Sequence, residues 1–468
     1  MASTFTHHDM SEQLAENTRS FMSAHALELE ANSFVDPKYY ANDRVKRGLR
    51  NSDGTGVLVG ITKIGNVQGY TLDGDGDKIP QEGHLFYRGI DINDLIEGFI
   101  TEDRLGYEET VYLLLFGDLP TAEQLTQFRE LINGWSELPE NFTADMIIKA
   151  PSPDVMNKLA RSILAMYSYD PEPEARGMEA ELFKSLCLIA RTPMIVAHAF
   201  AVKRHFYDRE GLYLHHSQPG MSVAENFLYS IRRDNSFTKE EAALLDLCLV
   251  LHAEHGGGNN SAFVCRAISS TGTDIYSAIA AAVGSLKGPK HGGANIAVSN
   301  MFRHIRQDVK DWKDEDEIKA ELRRILRGDA GDGSGLIYGM GHAVYTLSDP
   351  RAILLKRFAR TVAEMKGRLD ELQLIEDVER LSPKVFFSET ESDKVICANV
   401  DMYSGFVYDM LGIPEELFTP LFATARMVGW CAHRIEEITN PMGRIMRPAY
   451  RSVLKKRPYI PLTERNEA

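Results

Sequence analysis

The chain is poor in cysteine and tryptophan, with five and three among its 468 residues. Cys187, Cys248, Cys265, Cys397 and Cys431 are odd in number, widely spaced and without a CxxC pair. That argues against a disulfide frame or a zinc ribbon and for the reduced core thiols of a cytosolic-type protein. Positive charge is also short: 52 Lys and Arg against 67 Asp and Glu leave a net charge of −15. A nucleic-acid partner is disfavoured, because backbone phosphates are bound through a basic face that displaces counterions. No stretch of about 18 uncharged apolar residues occurs, so no membrane span is expected. The start, "MASTFTHHDMSEQLAENTRS", lacks an apolar core and carries Asp9, Glu12 and Glu16, unlike a secretory or transit leader. The final "TERNEA" is no peroxisomal signal, and a cytoplasmic location is the expectation. There is no GxxxxGK[ST], no GxGxxG in register between a strand and a helix, and no HExxH, which disfavours the standard nucleotide-cradling loops and the familiar zinc helix.

What is present is the composition of a folded protein, 44% apolar and 25% charged. The length exceeds one minimal core, so a large lobe, a smaller one and a cleft between them are expected. Residues 1–45 read as a polar N-terminal arm. The segment at about 56–90, "GVLVGITKIGNVQGYTLDGDGDKIPQEGHLFYRGIDI", alternates β-branched residues with Gly and Asp and predicts a few short strands. From about residue 93 the pattern turns helical. "YEETVYLLLFGDLPTAEQLTQFRELI" predicts two helices, the second capped at Thr121. "EEAALLDLCLVLHAEH" is apolar nearly all round, as a buried helix is. "SAIAAAVGSLKGP" predicts a close-packed helix stopped by Gly288-Pro289, and "ELFTPLFATARMVGWCAHRIEEI" one with an apolar stripe. The fold class is mainly α, without internal repeats.

"DGDGDK", Asp73 to Lys78, opens like a calcium loop, but its sixth position is Lys78 where glycine is needed and its twelfth is His84 where a bidentate glutamate is needed; an exposed acidic turn explains it equally well. In "HAEHGGGNN", His252 and His255 are three apart and would share a helix face, yet no third metal ligand lies at a familiar spacing. Three histidines, His255, His291 and His342, each stand beside glycines, which let a backbone approach a ligand and supply hinges. An acidic chain that binds anions must collect arginines locally. Arg351 follows the turn "SDP", Arg447 precedes Pro448, and Arg426 falls about 80° from Phe418 on a helical wheel, at the margin of the apolar stripe.

Six motifs, "LHAEHGGGNNSAF", "GPKHGGAN", "GMGHAVYTLSDPRA", "NVDMYSGFVYDMLGIP", "LFATARMVGW" and "RIMRPAY", occur in the order and spacing that resembles citrate synthase and 2-methylcitrate synthase, and "GTGVLVGITKI" with "HLFYRGIDINDLI" resembles that family's entry. The resemblance spans about residues 45–460. It implies a large helical domain of residues 46–291 and 399–468, a small lid domain of 292–398, and closure of one on the other.

The resemblance further implies that Asp401 removes a methyl proton from acetyl-CoA, His291 stabilises the enol or enolate, and His342 polarises the keto oxygen of oxaloacetate. His255, Arg351, Arg426 and Arg447 would hold carboxylates, the last supplied by the partner in a homodimer. The implied reaction is condensation of acetyl-CoA, oxaloacetate and water to citrate and CoA, the entry step of the tricarboxylic acid cycle, with the thioester a substrate and no cofactor or metal. The alternatives are propionyl-CoA with 2-methylcitrate as product and, remotely, a non-catalytic dicarboxylate or CoA sensor. The chemistry fits independently: an ordinary carboxylate deprotonates a thioester methyl only if the developing oxyanion is stabilised, and a neutral imidazole at a helix start can donate that bond. One position departs from the family: four residues after His342, where a basic side chain usually pairs with a CoA phosphate, stands Thr346. CoA is then expected to lie against the backbone of Leu336, Ile337 and Gly339, or against Lys290.

Overall fold

The structure, a computed structural model, describes residues 12–40, 45–51, 54–74, 78–392, 395–440 and 443–465. Part of the arm (1–11 and 41–44) and three residues of the acidic turn (75–77) lie outside them. The chain divides into two compact units, one of Met1–Val59 with Pro448–Ala468 and one of Gly60–Arg447. In the first, helix α1 spans Glu12–Ser33 and a single antiparallel bridge joins Arg50 to Gly56.

The second unit opens with an antiparallel sheet, β1 (Gly65–Leu72), β2 (Lys78–Tyr87) and β3 (Ile90–Asp91), where Gly65 faces Tyr87 and Phe86 faces Asp91. Helices follow: α2 (Ile92–Thr101), α3 (Tyr107–Phe116), α4 (Ala122–Gly134), α5 (Val155–Ala165), α6 (Met178–Tyr207), α7 (Val223–Ile231), α8 (Lys239–His252), α9 (Asn260–Ser269) and α10 (Ile275–Lys287). Then come α11 (Ala294–Asp308), α12 (Glu315–Leu326), α13 (Pro350–Met365), α14 (Leu369–Thr390), α15 (Asp401–Met410) and α16 (Phe418–Thr439). The expected lobe of 292–398 thus carries α11 to α14.

Local chemistry explains many of these starts. Thr121 and Gln124 form a reciprocal capping box on α4, as expected, and Ser222/Glu225 and Thr238/Glu241 do the same for α7 and α8. α6 is long and apolar enough to cross a membrane, but 89% of its most apolar window is buried inside the protein. The cysteines are all free and buried. One expectation fails at α16. A one-sided stripe was expected, whereas the helix is buried almost all round because α3, α6, α8, α9 and α10 all pack on it. Arg426 therefore lies in the interior, 1% exposed, and not at a margin.

Candidate active site

The site is assembled where several helix ends meet. α8 stops at His252, so His255 lies beyond the helix and the two histidines do not share a helical face as the spacing had suggested. The ring of His255 meets that of His342 edge to face at 5.2 Å, and His342 stacks on Tyr345 at 4.6 Å. Nδ1 of His342 accepts the backbone N–H groups of Val344 and Tyr345 at 3.1 and 3.0 Å, which leaves the ring proton on Nε2. "SDP" is not a turn ahead of Arg351 but a helix start: Asp349 caps α13, Pro350 takes the first helical position, and Arg351 is the second residue of the helix. Asp349 grips Arg351 through Nε at 3.0 Å and Nη2 at 2.7 Å. Burial alone would lower the pKa of Arg351, but the charge of Asp349 raises it above the usual arginine value.

Asp349 also accepts the N–H of Val400 at 3.2 Å, which ties the start of α15 to Arg351. The same junction is stitched to the His342 loop: Asn399 N–H donates to Gly339 O at 2.8 Å, Gly341 N–H to Cys397 O at 2.7 Å, and Asn399 Nδ2 to Gly341 O at 2.9 Å. Asn399 Oδ1 accepts the N–H of Asp401 at 3.0 Å. Burial lifts the Asp401 carboxyl to about 6, with Arg351 pulling against that rise.

His291 sits in a stop, turn and start. α10 ends at Gly288, the N–H of His291 donates to Gly288 O at 2.9 Å, and α11 begins at Ala294. Its Nε2 lies 3.1 Å from Ser261 Oγ, which also takes the indole N–H of Trp430 at 3.1 Å. Burial, and then the charge of Arg426, lower His291 to about 4, so it is neutral at physiological pH.

Arg426 is the common electrostatic neighbour. Its Nε donates to His252 O at 2.6 Å, while Nη1 and Nη2 are buried without a hydrogen-bond partner among the described residues. Burial lowers it to about 10. Burial, with the charges of Arg351 and Arg426, also drives His252 and His255 well below the usual imidazole range. Among the described residues His255 Nε2 and both ring nitrogens of His252 are likewise buried without partners. These buried groups thus set the donors of a cationic guanidinium and neutral imidazoles near a carboxylate with a lifted pKa, an arrangement suited to an anionic ligand and to proton abstraction next to it.

Six of the seven expected catalytic and substrate groups converge in this way. The seventh, Arg447, is exposed beyond α16 and shares no hydrogen bond, ion pair or ring contact with the other six among the described residues. Of the expected CoA contacts, Leu336 and Lys290 are exposed, the Ile337 side chain is buried, and the Gly339 carbonyl is occupied by Asn399. Thr346 is explained by structure: its Oγ1 bonds the carbonyls of Gly69 and Gln81 and takes the Gln81 N–H at 3.1 Å, so it pins the β-hairpin to the His342 loop. Sequence reading missed Ser261, Tyr345 and Asp349. Only Asp349 left a signal, since Asp-Pro before an amphipathic run is a helix start. One three-residue group with potential metal ligands, His304, Asp308 and Glu321, occurs among the described residues, on α11 and α12, and Arg324 bonds both of its carboxylates.

Residues 52–449 match the family described as "Citrate synthase, C-terminal domain". Citrate synthase of Deinococcus radiodurans is 35% identical over 367 residues, 78% of this chain and 89% of that relative. 2-Methylcitrate synthase 1 of Corynebacterium glutamicum is 31% identical over 436 residues, 91% of this chain and all of that relative. Among solved structures, citrate synthase of Pyrobaculum aerophilum superposes with a TM-score of 0.72 at 30% identity, covering 90% of this chain and 95% of that one. The ternary complex of citrate synthase from Thermoplasma acidophilum with carboxymethyl coenzyme A and oxaloacetate superposes at 0.70 with 26% identity, covering 91% of this chain and all of that one. The chain therefore belongs to the citrate synthase family, and it is an enzyme of acyl transfer with that family's mainly α fold.

Proposed function

We propose that this enzyme condenses acetyl-CoA with oxaloacetate and water to give citrate and CoA. The observation that carries the reading is the buried Arg426 with both Nη groups open, beside His255 and within electrostatic reach of an Asp401 lifted to about 6. A guanidinium desolvated in this way favours a carboxylate ligand. With oxaloacetate held by Arg426, Arg351 and His255, Asp401 takes a proton from the thioester methyl group. Ser261 has one proton and two acceptor neighbours, Asn259 Oδ1 at 2.9 Å and His291 Nε2 at 3.1 Å. Given to His291, that proton leaves the ring N–H on Nδ1, where it bonds the thioester oxygen as charge develops. The enol carbon attacks the keto carbon of oxaloacetate while Nε2–H of His342 donates to the keto oxygen. Hydrolysis of the resulting thioester releases CoA and citrate.

Arg447 completes the site from a partner copy in a homodimer, and the location is cytoplasmic. The test is thiol release from acetyl-CoA with and without oxaloacetate; release indifferent to oxaloacetate sinks the reading. The similarity to a 2-methylcitrate synthase over 91% of the chain favours a second reading with propionyl-CoA. One methylene is worth only about 1–3 kcal/mol of selectivity, so kcat/KM for both thioesters on one preparation decides between them.

A further inference from the structure

Arg426 has a buried carboxylate for a neighbour that does not bond it. Glu254 is 0% exposed and stands in sequence between His255 and the His252 segment whose carbonyl holds Arg426 Nε. A Cβ at Gly429 would lie 2.6 Å from Glu254 Oε2 and 3.3 Å from Arg426 Cδ, so the two side chains border one point. Yet Arg426 Nη1, Arg426 Nη2 and Glu254 Oε2 are all buried without a hydrogen-bond partner among the described residues. Opposite charges that close together in a dry interior attract strongly and would normally join.

Glu254 is held back by its other oxygen. Oε1 accepts the N–H of Gly256 and lies 2.9 Å from Nε2 of His433, a residue that is itself 0% exposed. The far side of that ring fixes its tautomer. Arg266 Nη1 lies 2.9 Å from His433 Nδ1, and a guanidinium only donates, so Nδ1 accepts and the ring proton sits on Nε2, facing Glu254. Arg266 is held in turn by Glu436 at 2.8 Å and Glu437 at 3.2 Å.

We propose that Glu254 and His433 form a positioning pair that keeps a carboxylate near enough to balance Arg426 but denies it a direct ion pair, so the guanidinium stays charged and open to a substrate carboxylate. The proposal rests on the reading of Arg426 as the oxaloacetate receptor. Two electrostatic facts agree with it. Glu254 is the foremost group opposing the effect of burial on Arg426. His433 is the foremost group holding Glu254 below the usual carboxylate range against its own burial.

The test is His433→Phe, which keeps a ring and removes the donor. The KM for oxaloacetate rises at least about tenfold, while kcat and the KM for acetyl-CoA move less than about threefold. Adding Glu254→Gln to that variant returns the oxaloacetate KM toward the wild-type value, because the competing charge is gone. His433→Gln, which can still present an N–H, keeps a near-normal KM. Should His433→Phe fail to fold, Glu254→Gln alone decides: its oxaloacetate KM at neutral pH is unchanged or lower, and its substrate-free thermal midpoint falls. An unchanged KM in folded His433→Phe, a double variant no better than the single, or a tenfold KM rise in Glu254→Gln overturns the proposal. Wild-type enzyme and Arg426→Leu run alongside. Thiol release indifferent to oxaloacetate, or normal oxaloacetate use by Arg426→Leu, defeats the functional reading; a responsive wild type and an impaired Arg426→Leu with a normal His433→Phe defeats the positioning pair alone.

Discussion

Replacing Asp401 by Asn tests the base and its environment together. Burial lifts the carboxyl from 3.8 to about 6, a shift of about 2 units worth about 3 kcal/mol against the charged form. The sign follows from proton uptake. Below pH 3.8 the group is protonated folded or unfolded; from there to about 6 only the folded state keeps its proton, so stability falls as pH rises; above 6 the full penalty of up to about 3 kcal/mol remains. Asp401→Asn removes that penalty at pH 7.5 and is expected to raise the thermal midpoint while lowering turnover about 10²–10⁴-fold, the usual worth of a positioned base. Wild-type kcat/KM should show an acid limb with a midpoint near 6, below which it falls about tenfold per pH unit. Thiol-release kinetics from pH 5 to 9 and thermal melts at pH 5 and 7.5 supply the readouts. A limb near 4 with no gain in stability would refute the desolvated base, and a fully active Asp401→Asn would refute the base altogether.

Further outcomes follow from the same contacts. Ser261→Ala removes the hydroxyl that orients His291 and should lower kcat about tenfold, with the KM for oxaloacetate little changed in steady-state kinetics. His291→Ala should cost about 10²–10³ in turnover through loss of an oxyanion donor, with a melting temperature close to that of the wild type. Gly429→Ala would put a Cβ 2.5 Å from Ala253 O and 2.6 Å from Glu254 Oε2, so denaturation should report a loss of about 1–3 kcal/mol together with weaker oxaloacetate binding. In the proposed homodimer, refolding a mixture of inactive Asp401→Asn and Arg447→Leu chains should restore about a quarter of wild-type activity, since half the dimers would be hybrids with one intact site; no restoration would defeat the proposal that Arg447 serves the partner's site.

The legible part of this protein was local. Capping boxes such as Thr121/Gln124, the Gly288-Pro289 stop and the buried cysteines were read correctly because each depends on a few neighbouring residues. The motifs that carry His291, His342, Asp401 and Arg426 were recognisable because glycines and caps must stand at fixed places around them. The misreadings shared one cause. The shared face of His252 and His255, the turn before Arg351 and the marginal stripe at Arg426 were all inferred from spacing along one segment, and each was overruled by where a helix ended or by what packed on it.

The sequence by itself determined the family, the helical character and the candidate groups of the site, since composition, period and motif order are properties of the chain alone. Tertiary structure alone decided their states. Asp401 is lifted to about 6 and His291 lowered to about 4 by burial that elements distant in the chain provide. The proton on His342 is placed by two backbone N–H groups, and Arg426 is left open because Glu254 is engaged by His433, 179 residues away. Protonation and pairing depend on the local dielectric and on which donors reach which oxygens, and those are fixed only when the chain has folded.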